Sequence, residues 1–289
     1  MKFQQHVARP VQPDKTPIED ARPMTGVREE IVPLTIRFGR VRWKVRSSAT
    51  VASVQHVLRE PNAFLADKNS LLKNTSRVTI GRIHSSVSEH EGWILRRTNY
   101  GSTLTVVRDC LRVSGPMRAF RAGLELERAG IPTPRVCAAG IARVFHKPVV
   151  GYLLVEEITP SLTLVECFRQ RGHLPRRAVR RVAEVIAHMH KQGFMHGDLT
   201  INNILLDEDA EPWLIDLERV KFRGRPVKWH EAVEDFYRFA RHVERLGPAA
   251  RRAGLQLAKY YCQIRSWRGR EREFATAVLV RLTQKLARS

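Results

Sequence analysis

The chain has 289 residues, 43% hydrophobic and 27% charged, which is the composition of a globular protein with one large domain or two modest lobes. Its formal net charge of +21 implies an anionic partner, such as nucleic acid, an acidic membrane face or a phosphorylated substrate. The N-terminus lacks an apolar signal-peptide core, and no stretch approaches the ~18 continuous apolar residues of a membrane span. We therefore expect neither a secretory signal nor a transmembrane helix.

Cysteine spacing and charge distribution refine this expectation. The cysteines contain no C-x-x-C pair, which argues against a zinc site or a disulfide framework and fits a reducing, cytoplasmic compartment. They are Cys110, Cys137, Cys167 and Cys262. Residues 221–289 hold 17 basic against 6 acidic side chains, so this part is expected to face the anionic partner. A merely solvated basic surface is the alternative interpretation.

The first predicted elements are an arm, a hairpin and a short helix. Residues 1–30 are polar and proline-rich, and we expect a poorly ordered arm. Apolar and basic residues then alternate around Gly39, which predicts a hairpin with one apolar and one basic face. A helix is predicted over residues 50–59, so residues 31–65 would form an extension of the domain that follows.

Residues 66–158 carry mostly strand signals and one helix. A strand pair is predicted at 78–80 and 93–95, joined by the polar stretch 85–92. The helix, over residues 116–129, should end at Gly130, because glycine favours the left-handed position after a helix. Two further strands are predicted at 135–144 and 149–158, with Pro148 in the turn between them.

Beyond residue 159 the hydrophobic period becomes helical. Apolar residues share one face of a helix that begins at Pro175 and ends before Gly193. They are Val179, Val182, Val185, Ile186 and Met189. His188 and His190 lie on different faces of this helix and are not predicted to bind metal. More helices are predicted in residues 230–289, so the fold class is α+β, with a strand-rich lobe over 66–158 and a helical lobe over 159–289.

The most informative segment runs over residues 196–218. Two apolar runs, 204–206 and 213–215, flank a six-residue polar turn, which is a hairpin signal. If Leu206 pairs with Trp213, the register places Asn203 opposite Asp216, with Cα atoms ~5 Å apart. An amide oxygen and a carboxylate at that separation can share Mg²⁺, a hard cation that also keeps waters and phosphates.

Asp198 lies five residues before Asn203, on the loop that enters the hairpin. A carboxylate there can accept the proton of an attacking hydroxyl while the metal neutralises phosphate oxygens. The spacing D-x-x-x-x-N, followed by an aspartate at the end of a strand, is typical of kinases. The structural alternative is that these residues are ordinary caps and turn residues.

With these motifs in place, the chain resembles the lipopolysaccharide kinase family, which phosphorylates Kdo or heptose in the lipopolysaccharide inner core. The likeness covers about residues 58–240. It includes LREPN at 58–62, LKNTS at 72–76, ILRRTN at 94–99, RAFRAG at 118–123 and GIPTP at 130–134. The motifs at His196 and Asp216 are specific to kinase-like folds, while GIPTP and the Leu-Glu after Asp216 narrow the match to this family.

The resemblance implies a bilobal, protein-kinase-like fold with ATP and Mg²⁺ beneath the strand lobe. The loop over residues 73–83 would cover the phosphates through its backbone N–H groups. The implied site residues are Asp198 as catalytic base, Asn203 and Asp216 as metal ligands, and the backbone of Glu156, Glu157 and Ile158 around adenine.

Some positions depart from the kinase pattern. Arg96 stands at the position of the phosphate-binding lysine, where its fork can pair phosphate oxygens but is not a neutral replacement. The helix carboxylate that usually pairs with that lysine has no clear counterpart: Ala119 lies near its position, and Glu125 and Glu127 are both candidates. Thr200 replaces a lysine of protein kinases, which argues against a protein substrate.

The leading hypothesis is an ATP-dependent glycolipid kinase at the cytoplasmic face of the inner membrane, with a basic surface on anionic lipid. A protein or small-molecule kinase of the same fold is the second hypothesis. A nucleotide-binding pseudokinase scaffold is the third, since Arg96 and the missing helix carboxylate depart from active kinases. Charge alone supports nucleic-acid binding, which we regard as the weakest of the four.

Overall fold

A computed structural model describes residues 32–84, 92–100, 113–144 and 147–287 of the chain. The predicted arm over residues 1–30, most of the polar stretch before Gly92, and Cys110 lie outside the described residues. Within them, a large antiparallel sheet comes first and helices dominate afterwards. The predicted α+β class, strand-rich first and helical second, is confirmed.

The large sheet has seven strands, and all neighbouring strands are antiparallel. They are β1 (Leu34–Phe38), β2 (Val41–Val45), β3 (Leu71–Asn74), β4 (Val78–His84), β5 (Gly92–Asn99), β6 (Val136–Val144) and β7 (Lys147–Glu156). Their order is β1-β2-β6-β7-β5-β4-β3. The predicted basic hairpin therefore continues the sheet beside β6.

The helices are α1 (Ser48–Arg59), α2 (Pro61–Phe64), α3 (Gly115–Arg128), α4 (Leu164–Arg171), α5 (Arg176–Lys191), α6 (Trp229–Val243), α7 (Pro248–Ile264) and α8 (Glu271–Leu286). Five short strands complete the helical half: β8 (Ser161–Thr163), β9 (Phe194–Met195), β10 (Ile204–Asp207), β11 (Pro212–Leu214) and β12 (Lys221–Phe222). β10 pairs with both β8 and β11, and β12 pairs with β9.

Helix α1 packs with one face of the large sheet. Ser47 caps its first turn by accepting a hydrogen bond from the Thr50 amide. Three residues of α1, Val54, Val57 and Leu58, are fully buried in one cluster with Trp43 of β2. Gly140 lies opposite Trp43 in β6, and a Cβ there would be only 2.6 Å from the indole ring. Glycine is thus required where the indole crosses the strand.

Helix α3 packs closely on β6 and β7. A Cβ on Gly123 would lie 2.5 Å from a methyl group of Val136, and a Cβ on Gly151 would lie 2.9 Å from the Pro116 ring. Gly130 follows the helix with φ +69°, as the C-terminal glycine predicted. The helix therefore lies close to the sheet at its first turn and at its middle.

The helical half encloses a core built around aromatic side chains. Trp229, Phe236, Tyr261, Trp267 and Phe274 form a network with ring centroids 4.6–6.0 Å apart. Such edge-to-face and tilted pairs stabilise a core beyond the apolar area that they bury. These side chains come from α6, α7, α8 and the segment between the last two, and Tyr261 also contacts His190 of α5. The core therefore connects the helices that support the candidate site.

The predicted helices over 50–59, 116–129 and 175–192 are confirmed, with bounds shifted by one or two residues. The placement of Pro148 in a turn is wrong, because Pro148 lies in β7 opposite Arg143, next to a register shift in β6. Strand irregularities are where proline is tolerated. The division of the chain at residues 31, 66 and 159 stays a prediction. In the described part of the chain, no helix is long and apolar enough to cross a membrane.

Candidate active site

The loop between β9 and β10 carries His196, Gly197 and Asp198. Gly197 has φ +73°, and a Cβ there would clash with the carbonyl oxygen of Arg219. Only glycine avoids both the strained backbone and the clash. Asp198, the predicted base, follows directly and is partly exposed. Glycine at position 197 is therefore a steric requirement of this loop.

The side chain of Asp235, on α6, holds this loop in place through hydrogen bonds to its backbone. Its fully buried carboxylate accepts hydrogen bonds from the amides of His196 (2.8 Å) and Gly197 (2.9 Å). Nε2 of His190 lies 3.2 Å away as a third donor. Burial alone would raise the pKa of Asp235, but these donors, His190 first, hold it below its ordinary value. Asp235 was not found from the sequence, although an aspartate on the apolar face of a helix is a usable signal.

His190 continues the anchor into the core. Its Nδ1 lies 2.7 Å from the hydroxyl of Tyr261, which in turn accepts from Arg265 at 3.0 Å. The network is satisfied if Tyr261 donates to Nδ1 and Nε2–H donates to Asp235. Burial raises the pKa of Tyr261, which keeps the hydroxyl protonated for this role. His190 thus serves structure, by connecting Asp235 to Tyr261.

His196 ties the loop to the segment after β11. It is fully buried, and its Nε2 lies 3.1 Å from the carbonyl oxygen of Ile215, the residue before Asp216. Burial lowers the pKa of His196, with Asp235 opposing the shift, so the ring is neutral near pH 7. A neutral ring that donates to Ile215 fixes the distance between the Asp198 loop and Asp216.

The predicted register of the β10–β11 hairpin is wrong by one residue. Leu205 pairs with Trp213 and Leu206 with Pro212, so Asn203 faces Ile215, whose amide donates to the Asn203 carbonyl at 3.0 Å. The physical cause is the turn. The Asp207 amide donates to the Glu211 carbonyl at 3.1 Å, and the Asp207 carboxylate accepts from the Asp209 and Glu211 amides. Three residues, 208–210, therefore lie within the turn, whereas the predicted register requires an even number.

Asn203 and Asp216 still lie on adjacent chain segments. The Asn203 amide group donates to the carbonyl oxygen of Asp198 at 2.9 Å, which leaves its own oxygen available. Asp216 has a left-handed backbone, with φ 59° and ψ 59°, a conformation unusual outside glycine and common at functional sites. The geometry thus joins Asp198 and Asn203 directly, and places Asp216 one residue beyond the Asn203–Ile215 contact.

The GIPTP turn after α3 is fastened to β11. The Leu214 amide donates to the Pro132 carbonyl at 3.0 Å, and the Thr133 hydroxyl donates to the Leu214 carbonyl at 2.9 Å. Leu214 lies two residues before Asp216. This motif, singled out from the sequence without a mechanism, therefore positions the metal-ligand candidate.

Arg96 reaches from β5 into the same cleft. One guanidinium nitrogen donates to Asp216 Oδ1 at 2.9 Å, and the other lies 3.2 Å from Glu218 Oε1. The Arg96 side chain is only 21% exposed. Arg97 is the next residue of β5, opposite Tyr152 of β7. Because successive strand residues alternate, Arg97 points to the other face of the sheet. Arg96 and Arg97 therefore lie on opposite faces of the sheet, and Arg96 is the one that enters the cleft.

None of the candidate partners of Arg96 on α3 contacts it. Glu125 is exposed, and Glu127 forms a bidentate ion pair with Arg46 at 2.5 and 2.7 Å. Arg96 instead forms an ion pair with Glu218, two residues after Asp216. This role of Glu218 was not predicted from the sequence. Burial raises the pKa of Glu218, with Arg96 opposing the shift. The Leu-Glu that follows Asp216 was the available signal.

The expected phosphate-covering loop over residues 73–83 is mostly strand. β3 and β4 occupy most of it, joined by a tight turn in which Thr75 bonds to Val78 through both its amide and its hydroxyl. Gly81 lies within β4, where a Cβ would be 2.8 Å from Leu65. The glycine thus serves packing with Leu65, and the expectation of a long loop is wrong.

The expected adenine segment lies at the end of β7. The Glu156 amide donates to the Arg135 carbonyl and the Glu157 amide to the Gly92 carbonyl, both at 2.9 Å. The Glu157 carboxylate also accepts from Arg82 at 2.6 Å. Burial raises the pKa of Glu156, with Arg135 opposing the shift. These bonds hold the segment between the sheet and β8.

Comparison with known proteins shows which family this sequence resembles. Residues 75–261 match the model of the lipopolysaccharide kinase (Kdo/WaaP) family. A 3-deoxy-D-manno-octulosonic acid kinase of Xylella fastidiosa (strain M12) is 32% identical over 112 residues, which are 39% of this chain and 44% of that protein. The same enzyme of Vibrio parahaemolyticus serotype O3:K6 (strain RIMD 2210633) is 33% identical over 105 residues, 35% of this chain and 42% of that protein. The chain thus matches less than half the length of these relatives.

A solved structure, of WaaP in complex with acyl carrier protein, is similar in fold. It has a TM-score of 0.56 and 20% sequence identity, and the match covers 84% of this chain and 98% of that chain. At this identity the likeness concerns the fold alone. Since the family model spans more than half of the sequence, the chain belongs to the lipopolysaccharide kinase (Kdo/WaaP) family.

Proposed function

We propose that the protein is an ATP-dependent kinase that phosphorylates a sugar hydroxyl, Kdo or heptose, of the lipopolysaccharide inner core. The observation that carries the proposal is the 2.9 Å contact between Arg96 of the sheet and Asp216 of the helical half, beside the Asp198 loop. A cation for phosphate, a base and two oxygen ligands then share one cleft. This set performs phosphoryl transfer by positioning and charge neutralisation.

Each side chain has a distinct part in this proposal. Asp198 is the base that accepts the proton of the acceptor hydroxyl, because it is partly exposed on a loop fixed by Asp235. Asn203 and Asp216 would hold Mg²⁺, which when bound would neutralise negative charge on the phosphate oxygens. Arg96 would contribute a second positive charge from the sheet.

The donor set fits a magnesium ion. Both side chains offer oxygen atoms, and the Asn203 oxygen is available because its nitrogen is engaged with the Asp198 carbonyl. In the described residues, His, Cys, Asp and Glu side chains form no cluster of three that could hold a metal on its own. A hard cation that completes its shell with waters and phosphate oxygens suits such a sparse site.

The nucleotide would lie beneath the sheet, with adenine against Glu156, Glu157 and Ile158. The amides of Glu156 and Glu157 already donate within the protein. The Ile158 carbonyl already accepts from the Ser161 hydroxyl at 2.6 Å, so adenine recognition would rest on the Glu156 and Glu157 carbonyl oxygens and on the Ile158 amide.

The acceptor would be reached at an anionic membrane face. Arg37 and Arg42 are exposed and directly opposite one another in the β1–β2 hairpin, a like-charge pair that is unfavourable without an anionic partner. Helix α7 exposes Arg251, Arg252 and Lys259 around Leu255, which is 57% exposed. A basic helix face with an apolar centre fits the interface of an anionic lipid surface. Peripheral association with the cytoplasmic face of the inner membrane follows from this reasoning.

One observation favours a nucleotide-binding scaffold as the second candidate. Arg96 lies on the same carboxylate of Asp216 that would hold the metal, at 2.9 Å. If this ion pair never opens, the protein binds nucleotide without transferring phosphate.

Two substitutions test the proposal. Asp198→Asn should abolish transfer and leave Mg-ATP affinity nearly unchanged, because the base contacts the acceptor hydroxyl. Asp216→Asn should weaken nucleotide binding only when Mg²⁺ is present, because it removes charge from a metal ligand. Calorimetry with and without Mg²⁺ measures both effects, and equal nucleotide affinity for wild type and Asp216→Asn would overturn the assignment.

A further inference from the structure

The cation that binds phosphate in a kinase needs a carboxylate to hold it in place, and kinases commonly take that carboxylate from a helix behind the sheet. Helix α3 occupies that place here. Its Ala119 has no polar side chain, Glu125 is exposed, and Glu127 is engaged by Arg46. On α3, therefore, none of the three candidate positions serves Arg96.

Glu218 lies where such a carboxylate is needed. Its Oε1 is 3.2 Å from the second guanidinium nitrogen of Arg96, and its side chain is only 20% exposed. Because the other nitrogen of the fork contacts Asp216, one guanidinium bridges two carboxylates through different atoms. An ion pair of this kind loses little rotamer freedom, because the guanidinium fork is rigid.

Glu218 is itself held by the start of α3. A Cβ on Gly115, the first residue of that helix, would lie 2.7 Å from Glu218 Oε2, so the carboxylate occupies the space beside the helix N-terminus. Negative charge is favoured there by the helix dipole. Arg118, in the first turn, donates to the Glu218 carbonyl at 3.0 Å. The backbone and the side chain of Glu218 are thus both fixed against α3.

We propose that Glu218 is a positioning residue that holds Arg96 toward the phosphates, in the role usually given to a carboxylate within the helix. The inference rests on the proposed function. When Asp216 serves as a metal ligand, its carboxylate is shared with the metal and no longer pairs with Arg96 alone. Glu218 is then the partner that stays, and one nitrogen of the Arg96 fork becomes free for a phosphate oxygen.

This arrangement also couples α3 to the nucleotide site. The helix contacts Arg96 through Glu218, and Gly115 provides the space for that contact. Moving the N-terminus of α3 would therefore move the carboxylate and, with it, the guanidinium.

A double-mutant cycle tests the proposal in the full-length protein. Calorimetry with a non-hydrolysable ATP analogue and Mg²⁺ gives the nucleotide affinity of wild type, Arg96→Gln, Glu218→Gln and the double variant. Each single substitution should weaken affinity about tenfold, because each removes one member of a charged contact. The double variant should also lose about tenfold, and not about a hundredfold, because the two residues act as a unit.

Controls separate positioning from general stability. Glu125→Gln changes an exposed carboxylate of α3 and should bind within twofold of wild type. Glu218→Asp keeps the charge and should retain more affinity than Glu218→Gln. Thermal unfolding of each variant shows whether a loss of affinity follows a loss of fold. If Glu218→Gln does not fold, Gly115→Ala displaces the same carboxylate from the helix side and should weaken binding too.

The outcomes are distinct. If Glu218→Gln binds nucleotide as tightly as wild type, the role of Glu218 is wrong while the proposed function still stands. The same holds if Gly115→Ala, used in its place, keeps full affinity, or if the losses in the double variant are additive. A wild-type protein whose ATP affinity does not depend on Mg²⁺ overturns the proposed function and this inference together.

Discussion

Replacing Asp235 with alanine removes the buried acceptor on which the active-site loop depends. The carboxylate accepts from the amides of His196 and Gly197 at 2.8 and 2.9 Å and faces His190 Nε2 at 3.2 Å. Alanine leaves these three donors in a buried site without their acceptor. We expect a large loss of stability and of phosphoryl transfer.

The magnitude follows from the number of donors. Each buried donor left unpaired costs about 1–3 kcal/mol. Releasing the carboxylate from its own desolvation offsets part of this cost. The expected net destabilisation is about 3 kcal/mol, a large fraction of the stability of a typical domain. Transfer should fall at least about tenfold, since Asp198 follows the two amides that lose their anchor.

Urea unfolding followed by circular dichroism measures the change in the free energy of unfolding. Asp209→Ala, in the exposed turn between β10 and β11, is the matched control and should change it by less than about 0.5 kcal/mol. A change below about 1 kcal/mol for Asp235→Ala would refute the role of the anchor.

Three further perturbations have definite expected outcomes. Arg96→Ala should abolish phosphoryl transfer and lower ATP affinity about tenfold in a fluorescence titration, whereas Arg97→Ala should change neither property. Arg96→Lys should keep part of the activity. Similar effects of the two alanine variants would contradict the assignment. The hydrogen bond from Arg225 lowers the pKa of Glu231 from 4.5 to about 2. The ionised Glu231 carboxylate therefore contributes fully to stability above pH 4.5, and this contribution is lost as the pH falls toward 2. Glu231→Gln should make stability depend less on pH in that range, and an unchanged pH profile would contradict the role of this ion pair. Co-sedimentation with anionic vesicles should weaken as salt is raised, because each engaged basic side chain contributes about 1 kcal/mol of electrostatic attraction. Charge reversal of Arg37 and Arg42 should weaken the binding further. Equal binding to neutral and anionic vesicles would contradict recognition of anionic lipid by these basic side chains, and salt-sensitive binding to duplex DNA alone would favour nucleic acid.

The sequence was most informative where function depends on nearby residues. Asp198, Asn203 and Asp216 lie within 19 positions, and their spacing together with the two flanking apolar runs predicted a shared site. Gly197 explains why such a motif is readable, since its φ of +73° admits few other residues. Helix bounds were also predictable, because they depend on periodicity and on glycine after the last turn.

Contacts between distant segments could not be predicted. Asp235 supports the loop from 38 positions away, and Arg96 meets Asp216 across 120. A single sequence contains no pattern that predicts which distant residues contact each other. The register error has a different cause: Asp207 and Glu211 close the turn around three residues, 208–210, and this odd number shifts the strand pairing by one residue.

The central claim is phosphoryl transfer to a sugar of the lipopolysaccharide inner core with Asp198 as base. Labelled ATP, offered with Mg²⁺ and with Kdo-bearing glycolipid, heptose-bearing glycolipid and a generic protein acceptor side by side, tests it directly. We expect label in one of the two glycolipids with the wild-type protein, and at least about a hundredfold less with Asp198→Asn. Label in the protein acceptor alone, equal labelling by the variant, or nucleotide binding without transfer to any acceptor would contradict it.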